Sequence, residues 1–323
     1  MLVRLFLLLL MLPGLAAARV LDVGPGLAFA TPSAAARAAQ DGDTILIAPG
    51  DYYDCAVWTR NGLTIAGTAP GVTITDTVCQ GKALFVIIGH DTTIRDLTLA
   101  RARVPDRNGA GIRLEGRGLV LRNVRFTNNE VGILASVPGP GAIRIETCAF
   151  NDGGVGGDRP TFAVWAGAVG LLRIEGSSFK GIKGGQILSA AGRTELIGNT
   201  IDTGTGDAPS VGVMATGGTV VLEDNHLRIG PNAPRLGAAV AAMGKGVPEL
   251  RRNTLTNTTG QPRALLLNWT GSQPLLDGNR VEPGDREITT DGLARHMASV
   301  LAHGAVDGAH GLADWVKRGL GRR

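Results

Sequence analysis

Eight arginines fall between Arg95 and Arg125, a density unmatched elsewhere in the 323-residue chain. Arg101, Arg103, Arg107 and Arg113 are interleaved there with Asp106, Asn108 and Glu115, and Asn128, Asn129 and Glu130 follow. A guanidinium is a planar fork that grips a carboxylate or sulfate at two points. Several forks on one surface would suit an acidic polysaccharide, which offers such a group on each sugar. Further polar residues downstream, Asp152, Asp158, Arg159, Lys180, Lys183 and Gln186, would extend the same surface into a groove. Aligning Gly111-Ile112 with Gly132-Ile133 lays Asn108 over Asn129 and Arg107 over Asn128, so the loops carrying them are expected to touch.

The elements that must position these residues announce themselves by repetition. From residue 97 to residue 281 a short phrase recurs: a small or Asn residue, any residue, then a large apolar one. Its first positions are Leu97, Val124, Cys148, Ser177, Asn199, Asn225, Asn253 and Asn279. The interval varies between 22 and 29 residues, which suits a stacked solenoid. An apolar pair precedes each phrase, and apolar and polar residues alternate with the period of a strand. No run between Leu63 and Val281 shows helical spacing. The four successive asparagines predict an interior ladder, each side chain satisfying the next and the turn backbone beside it. In the early coils Leu97, Val124 and Cys148 hold that position, predicting an apolar core there. The longer loops, at residues 100–109, 151–161, 180–186, 202–210 and 228–236, all follow the same strand of the coil. They are expected along one edge, where a groove would form.

With this ladder and period the chain resembles the right-handed parallel β-helix of the pectin-lyase-like superfamily, over residues 20–283. The resemblance implies an all-β fold. Polysaccharide lyases of that superfamily commonly use Arg or Lys as the base. It therefore implies Arg101, Arg107 and Arg113 as base and carboxylate clamp, with Glu130 beside them as a catalytic candidate. Such a lyase must neutralise the uronate carboxylate, withdraw the C5 proton and help the glycosidic oxygen leave. Arg103, Asp106, Asn108, Asn128, Asn129, Asp158, Arg159, Lys180, Lys183 and Gln186 are the expected substrate contacts. The Asp-Asp and Gly-His-Gly signatures of β-helical polygalacturonases are absent, so hydrolysis by facing carboxylates is not expected. Calcium accompanies some lyases, but no three carboxylates are expected to converge here, and no cofactor or metal is assigned. The alternative is a non-catalytic cell-envelope β-helix that binds or supports a partner. Trp58, Trp165 and Trp269 could stack on sugar rings or fill bends.

The ends bound the rest. Residues 1–18 carry Arg4, a Leu-rich stretch and Ala16-Ala17-Ala18, the layout of a cleaved signal peptide. A secreted or periplasmic monomer without a membrane span is expected after cleavage. A net charge of +4 fits an anionic partner; nucleic acid is not expected, since there is neither a basic helix nor an aromatic platform. Cys55 and Cys79 lie one coil apart and are expected to form a disulfide, with Cys148 a buried free thiol. Thr31-Pro32-Ser33 opens an Ala-rich capping helix, residues 34–40. Asp41, Asp43 and Asp51 read as turn and cap residues. Residues 19–283 are expected to form one β-helix domain and residues 284–323 a helical cap or arm. There Leu293, Met297, Val300 and Leu301 fall at helical spacing. His296, His303 and His310 recur every seven residues, but glycines interrupt them and no carboxylate completes a metal site.

Overall fold

A computed structural model describes residues 18–136, 139–156, 160–204, 210–233 and 238–290. The signal segment, Asp158, Arg159 and the tail from 291 onward lie outside these residues. The described chain winds into a right-handed parallel β-helix. Its strands form an 18-stranded sheet bent through two faces and a ten-stranded sheet that closes the third. Nearly every neighbour in both sheets is parallel and one coil away in sequence, as in Leu97↔Val124, Arg125↔Ala149 and Ser178↔Thr200. These pairs reproduce the phrase residue for residue. The winding also runs past Pro283, because Arg286–Thr289 pairs with Ala264–Asn268 as a last strand of the ten-stranded sheet.

The bends have a backbone cause. The residue just before each phrase is left-handed: Asp96, Asn123, Thr147, Gly176, Gly198, Asp224, Arg252 and Gly278 all have φ between 50° and 61°. Most are not glycine, and a side chain in this region carries strain. Contacts between coils offset it. Asn123 donates to Asp96 Oδ1 at 2.9 Å, and Arg252 grips Asp224 through Nε and Nη2, both at 2.9 Å.

Immediately inside that bend the asparagine ladder forms as expected. Asn199, Asn225 and Asn253 each donate to the Oδ1 of the next asparagine at 2.9–3.0 Å, ending at Asn279. Each Nδ2 also reaches a carbonyl of the coil before, as from Asn225 to Leu196. The ladder extends further than the asparagines: Ser177 N–H donates to Asn199 Oδ1 and Cys148 N–H to Ser177 Oγ. The core is wholly apolar at this position only at Val124 and Leu97.

Beside the ladder, Phe126, Phe150 and Phe179 stack with centroids 4.7 and 4.6 Å apart, about the strand spacing. Gly111 and Gly132 face them, and a Cβ on either would come within 2.8 Å of a ring carbon. Trp58 is also core, fully buried and edge-on to Phe85, so it cannot meet a sugar.

Cys55 and Cys79 are bonded, with Cα atoms 5.4 Å apart. Cys148 is free and buried, and desolvation pushes its thiol up to about 12. The capping helix spans Pro32–Ala38, with Thr31 Oγ1 accepting from Ala34 N–H. Its buried face, Pro32, Ala35 and Ala36, covers the open end of the core. Asp43 ties that end together. Its carboxylate accepts from the Arg19 guanidinium at 2.6 Å, Arg19 N–H at 3.0 Å and Gln40 N–H at 2.8 Å.

Two outcomes are expected. Asn225→Ala deletes two donors and two acceptor contacts inside the ladder and should cost about 3 kcal/mol in chemical denaturation. A loss under about 1 kcal/mol would refute the ladder's role. The Arg19 hydrogen bond above all holds the Asp43 carboxyl at about 2, below its ordinary 3.8. A depressed folded value stabilises the fold above pH 3.8, and that contribution disappears as pH falls toward 2. Asp43→Asn should therefore melt lower at neutral pH and lose less on acidification from pH 4 to pH 2. Parallel melting curves for the two proteins over that range would contradict the linkage.

Candidate functional site

The long loops leave the ends of the 18-stranded sheet and enter the ten-stranded sheet, so they share one edge as expected. A second left-handed residue marks four successive exits: Asp76, Arg101, Asn128 and Asp152 have φ of 52–64°. Arg101 and Asn128 are therefore corner residues of adjacent coils, confirmed by the bond from Arg101 N–H to the Thr127 carbonyl. This corrects the alignment made from the sequence. Asn128 and Asn129 lie under Arg101 and Ala102, and residues 103–109 bulge out as an insertion.

Two buried side chains carry that insertion. Asn129 accepts from Ala102 N–H at 2.9 Å and donates to the Leu99 carbonyl at 2.8 Å. Glu130, 7% exposed, accepts from Val104 N–H at 3.0 Å and Gly109 N–H at 2.8 Å, pinning both feet of the loop. Arg107 N–H closes a turn onto the Val104 carbonyl. The Arg107 side chain is exposed and has no hydrogen bond or ion pair among the described residues, and Asp106 and Asn108 are exposed beside it.

The other arginines have separate surroundings. Arg101 grips Asp76 two-pronged, Nε to Oδ1 at 2.9 Å and Nη2 to Oδ2 at 2.7 Å. That bond lowers the Asp76 carboxyl below its ordinary range and raises the guanidinium further. Arg103 donates to the Ala102 and Asn128 carbonyls and to Asn128 Oδ1, and meets no carboxylate. Arg113 stands apart, on the outer face of the ten-stranded sheet. The register there runs Val57, Val86, Arg113, Leu134, Trp165, Leu188, Met214, Ala241 and Leu267. Arg113 Nε lies 3.8 Å from Glu115 Oε1, which Lys82 Nζ approaches to 2.6 Å.

Further along the edge, Lys180 and Lys183 are exposed at the ends of their coil. Thr75, Ala100, Thr127, Asn151 and Lys180 are successive partners, so Lys180 lies four steps, roughly 19 Å, from the Asp76 corner. Gln186 is fully buried and cannot touch a polymer.

Sequence reasoning missed two members of this edge. Asp76 precedes Arg101 by 25 residues, one coil, and the repeat interval could have paired them. Tyr53 is 69% exposed and close enough to Arg101 to influence its charge. Its neighbour Tyr52 is buried, and alternation within the strand was the available signal.

Among the described residues no three His, Cys, Asp or Glu side chains gather as a metal site, and no helix is long and apolar enough to cross a membrane. No family model matches the chain, and no curated protein does. Solved structures do match. Pectin methylesterase from carrot superposes with a TM-score of 0.53 at 12% identity, covering 95% of this chain and 97% of that one. ORF18 of Geobacillus virus E2 gives 0.51 at 10% identity, over 77% and 55%. The deglycosylated pectin methylesterase of Aspergillus niger gives 0.49 at 13%, over 93% and 95%. With the coil register and the ladder, the likenesses to the carrot and viral structures show the fold, a right-handed parallel β-helix.

Proposed function

We propose that the chain is an exported protein that binds an acidic polysaccharide along the loop edge running from Tyr53 past Arg103 and Arg107 to Lys180 and Lys183, without cleaving it. One observation carries this reading: Arg103 and Arg107 are exposed cations without a carboxylate partner among the described residues, on the edge that also presents Tyr53. The Arg107 guanidinium, without a partner among the described residues, can supply the two-point grip on a uronate carboxylate, Arg103 adds positive charge beside it while held by Asn128, and an exposed aromatic ring supplies a face for a sugar. The disulfide agrees with export to an oxidising compartment.

The same geometry disfavours β-elimination. A general base must come within hydrogen-bond reach of the proton it removes. Glu130 is buried with Oε2 accepting from two backbone N–H groups inside the loop, Arg101 is held protonated by Asp76 and so is less available to take a proton, and Arg113 faces outward from another sheet.

The carrot protein of this fold is named for pectin, so de-esterified pectin is the first polymer to try, with a neutral glucan as control. The chain should retard on the acidic polymer alone, and more weakly at 0.2 M salt than at 0.02 M, as the Debye length shrinks from roughly 20 to 7 Å. Arg103→Ala with Arg107→Ala should weaken binding by about tenfold, near 1.4 kcal/mol, and Arg107→Ala alone, which removes no side-chain hydrogen bond among the described residues, should weaken it with the melting temperature unchanged. Normal binding by the double variant would reject this edge. Absorbance growth near 235 nm would reject the non-catalytic reading and restore a lyase.

A further inference from the structure

Asp43 is a carboxylate buried at the N-terminal end of the coil, 1% exposed, and among the described residues three of its four donors belong to one residue. Arg19 gives Oδ1 its backbone N–H at 3.0 Å and Nε at 3.3 Å, and gives Oδ2 its Nη2 at 2.6 Å. Gln40 N–H supplies the fourth at 2.8 Å. The rest of Arg19 is fixed as well. Its carbonyl accepts from Thr44 N–H at 2.8 Å, and Val20 after it begins the strand that pairs with Thr44–Ile47. Nη2 also donates to the Ala38 carbonyl at 3.0 Å, tying the site to the end of the capping helix. Every bond that aims the Arg19 nitrogen at this anion therefore belongs to Arg19 or to residues after it.

A buried carboxylate is costly unless its charge is matched. One guanidinium does the matching here, from a side chain that is 43% exposed; the backbone amide contributes only a dipole. A positive charge on that amide nitrogen would add a second cation with no atom displaced, and a charge-assisted hydrogen bond is roughly twice as strong as a neutral one.

The sequence supplies a way to charge that atom. Ala16-Ala17-Ala18 closes the Leu-rich stretch directly before Arg19, and a small-residue motif of this form is cut after its last residue. The motif and the buried carboxylate are independent, and both point to the same nitrogen. We propose that the Ala18–Arg19 bond is a processing site and that its hydrolysis completes the capped end of the fold. Water adds across the peptide bond, Ala18 leaves as a carboxylate with the leader, and the Arg19 nitrogen becomes an α-ammonium clamped on Asp43. An α-amine is mostly protonated at neutral pH. The inference rests on the export half of the reading above and is independent of the polysaccharide. The cap then reaches its full stability only in the processed chain.

Expressed whole, the protein should be recovered outside the cytoplasm with Arg19 as its first residue, read by intact mass and N-terminal sequencing. The chain starting at Arg19 should then melt about 2–4 °C above the same chain with its α-amine acetylated, a change that removes the charge and keeps an N–H. In Asp43→Asn the acetyl group should make no difference. If that variant does not fold, the parent pair decides, and equal melting of the free and acetylated chains overturns the clamp. An exported protein with a different first residue overturns the processing site alone. A chain that stays in the cytoplasm with residues 1–18 attached overturns the site and the export reading together.

Discussion

A parallel backbone ladder between coils constrains everything else in this molecule. Once Leu97 pairs with Val124 and Arg125 with Ala149, every residue stands directly over one from the previous coil, about 4.8 Å away. Each position becomes a column, and each column must hold side chains that tolerate their own kind as neighbours. Asparagines satisfy the condition by donating along the column and phenylalanines by stacking flat. At the corners, charged and amide side chains reach across coils from left-handed residues. The irregular interval of the repeat follows from the same constraint. Length can change only in the loops, because a residue inserted in a strand would shift every column at once.

That division explains what became of the arginine cluster. Arg101 is a column residue: it occupies a corner, and its partner Asp76 occupies the same corner one coil before. Arg113 belongs to an outer column that is apolar from Val57 to Leu267 except for Arg113 itself, and ends at Thr289. Asn129 and Glu130 are buried and hold the loop above them. Arg103 and Arg107 alone of these arginines lie in the inserted residues, Arg103 with its guanidinium tied to the corner residue Asn128 and Arg107 without a side-chain partner among the described residues. Their loop depends on Glu130, whose buried carboxylate replaces backbone partners that the insertion removes.

The scaffold was legible because columns leave a periodic trace. The phrase, the ladder, the disulfide and the capping helix could all be read from spacing and residue type. The ladder's extension through Ser177 and Cys148 was less visible, since Cys148 contributes a backbone N–H and its side chain gives no sign of it. The site was less legible still. Pairing Arg107 with Asn128 assumed that the loop keeps register, whereas residues 103–109 are extruded and register resumes through Arg101. Gln186 read as polar and exposed, but it is fully buried. The extrusion of the loop is a matter of local backbone geometry, which a count along the chain does not contain.

The stacked rings give the loop edge a rigid foundation. Phe126 and Phe150 lie within 1° of parallel, and the strands opposite them are pared to glycine at Gly111 and Gly132, where a Cβ would also strike the neighbouring strand's carbonyl. Gly132 follows Glu130 by two residues. The carboxylate that pins the loop is thus attached to a strand whose inner side has no room to shift, because interiors packed this closely do not yield continuously. Arg103 and Arg107 are presented from a pinned loop on an incompressible support. On the proposed reading, a polymer bound there would meet guanidinium groups whose backbone is already ordered, and the ordering cost that weakens binding by flexible loops would fall on the side chains.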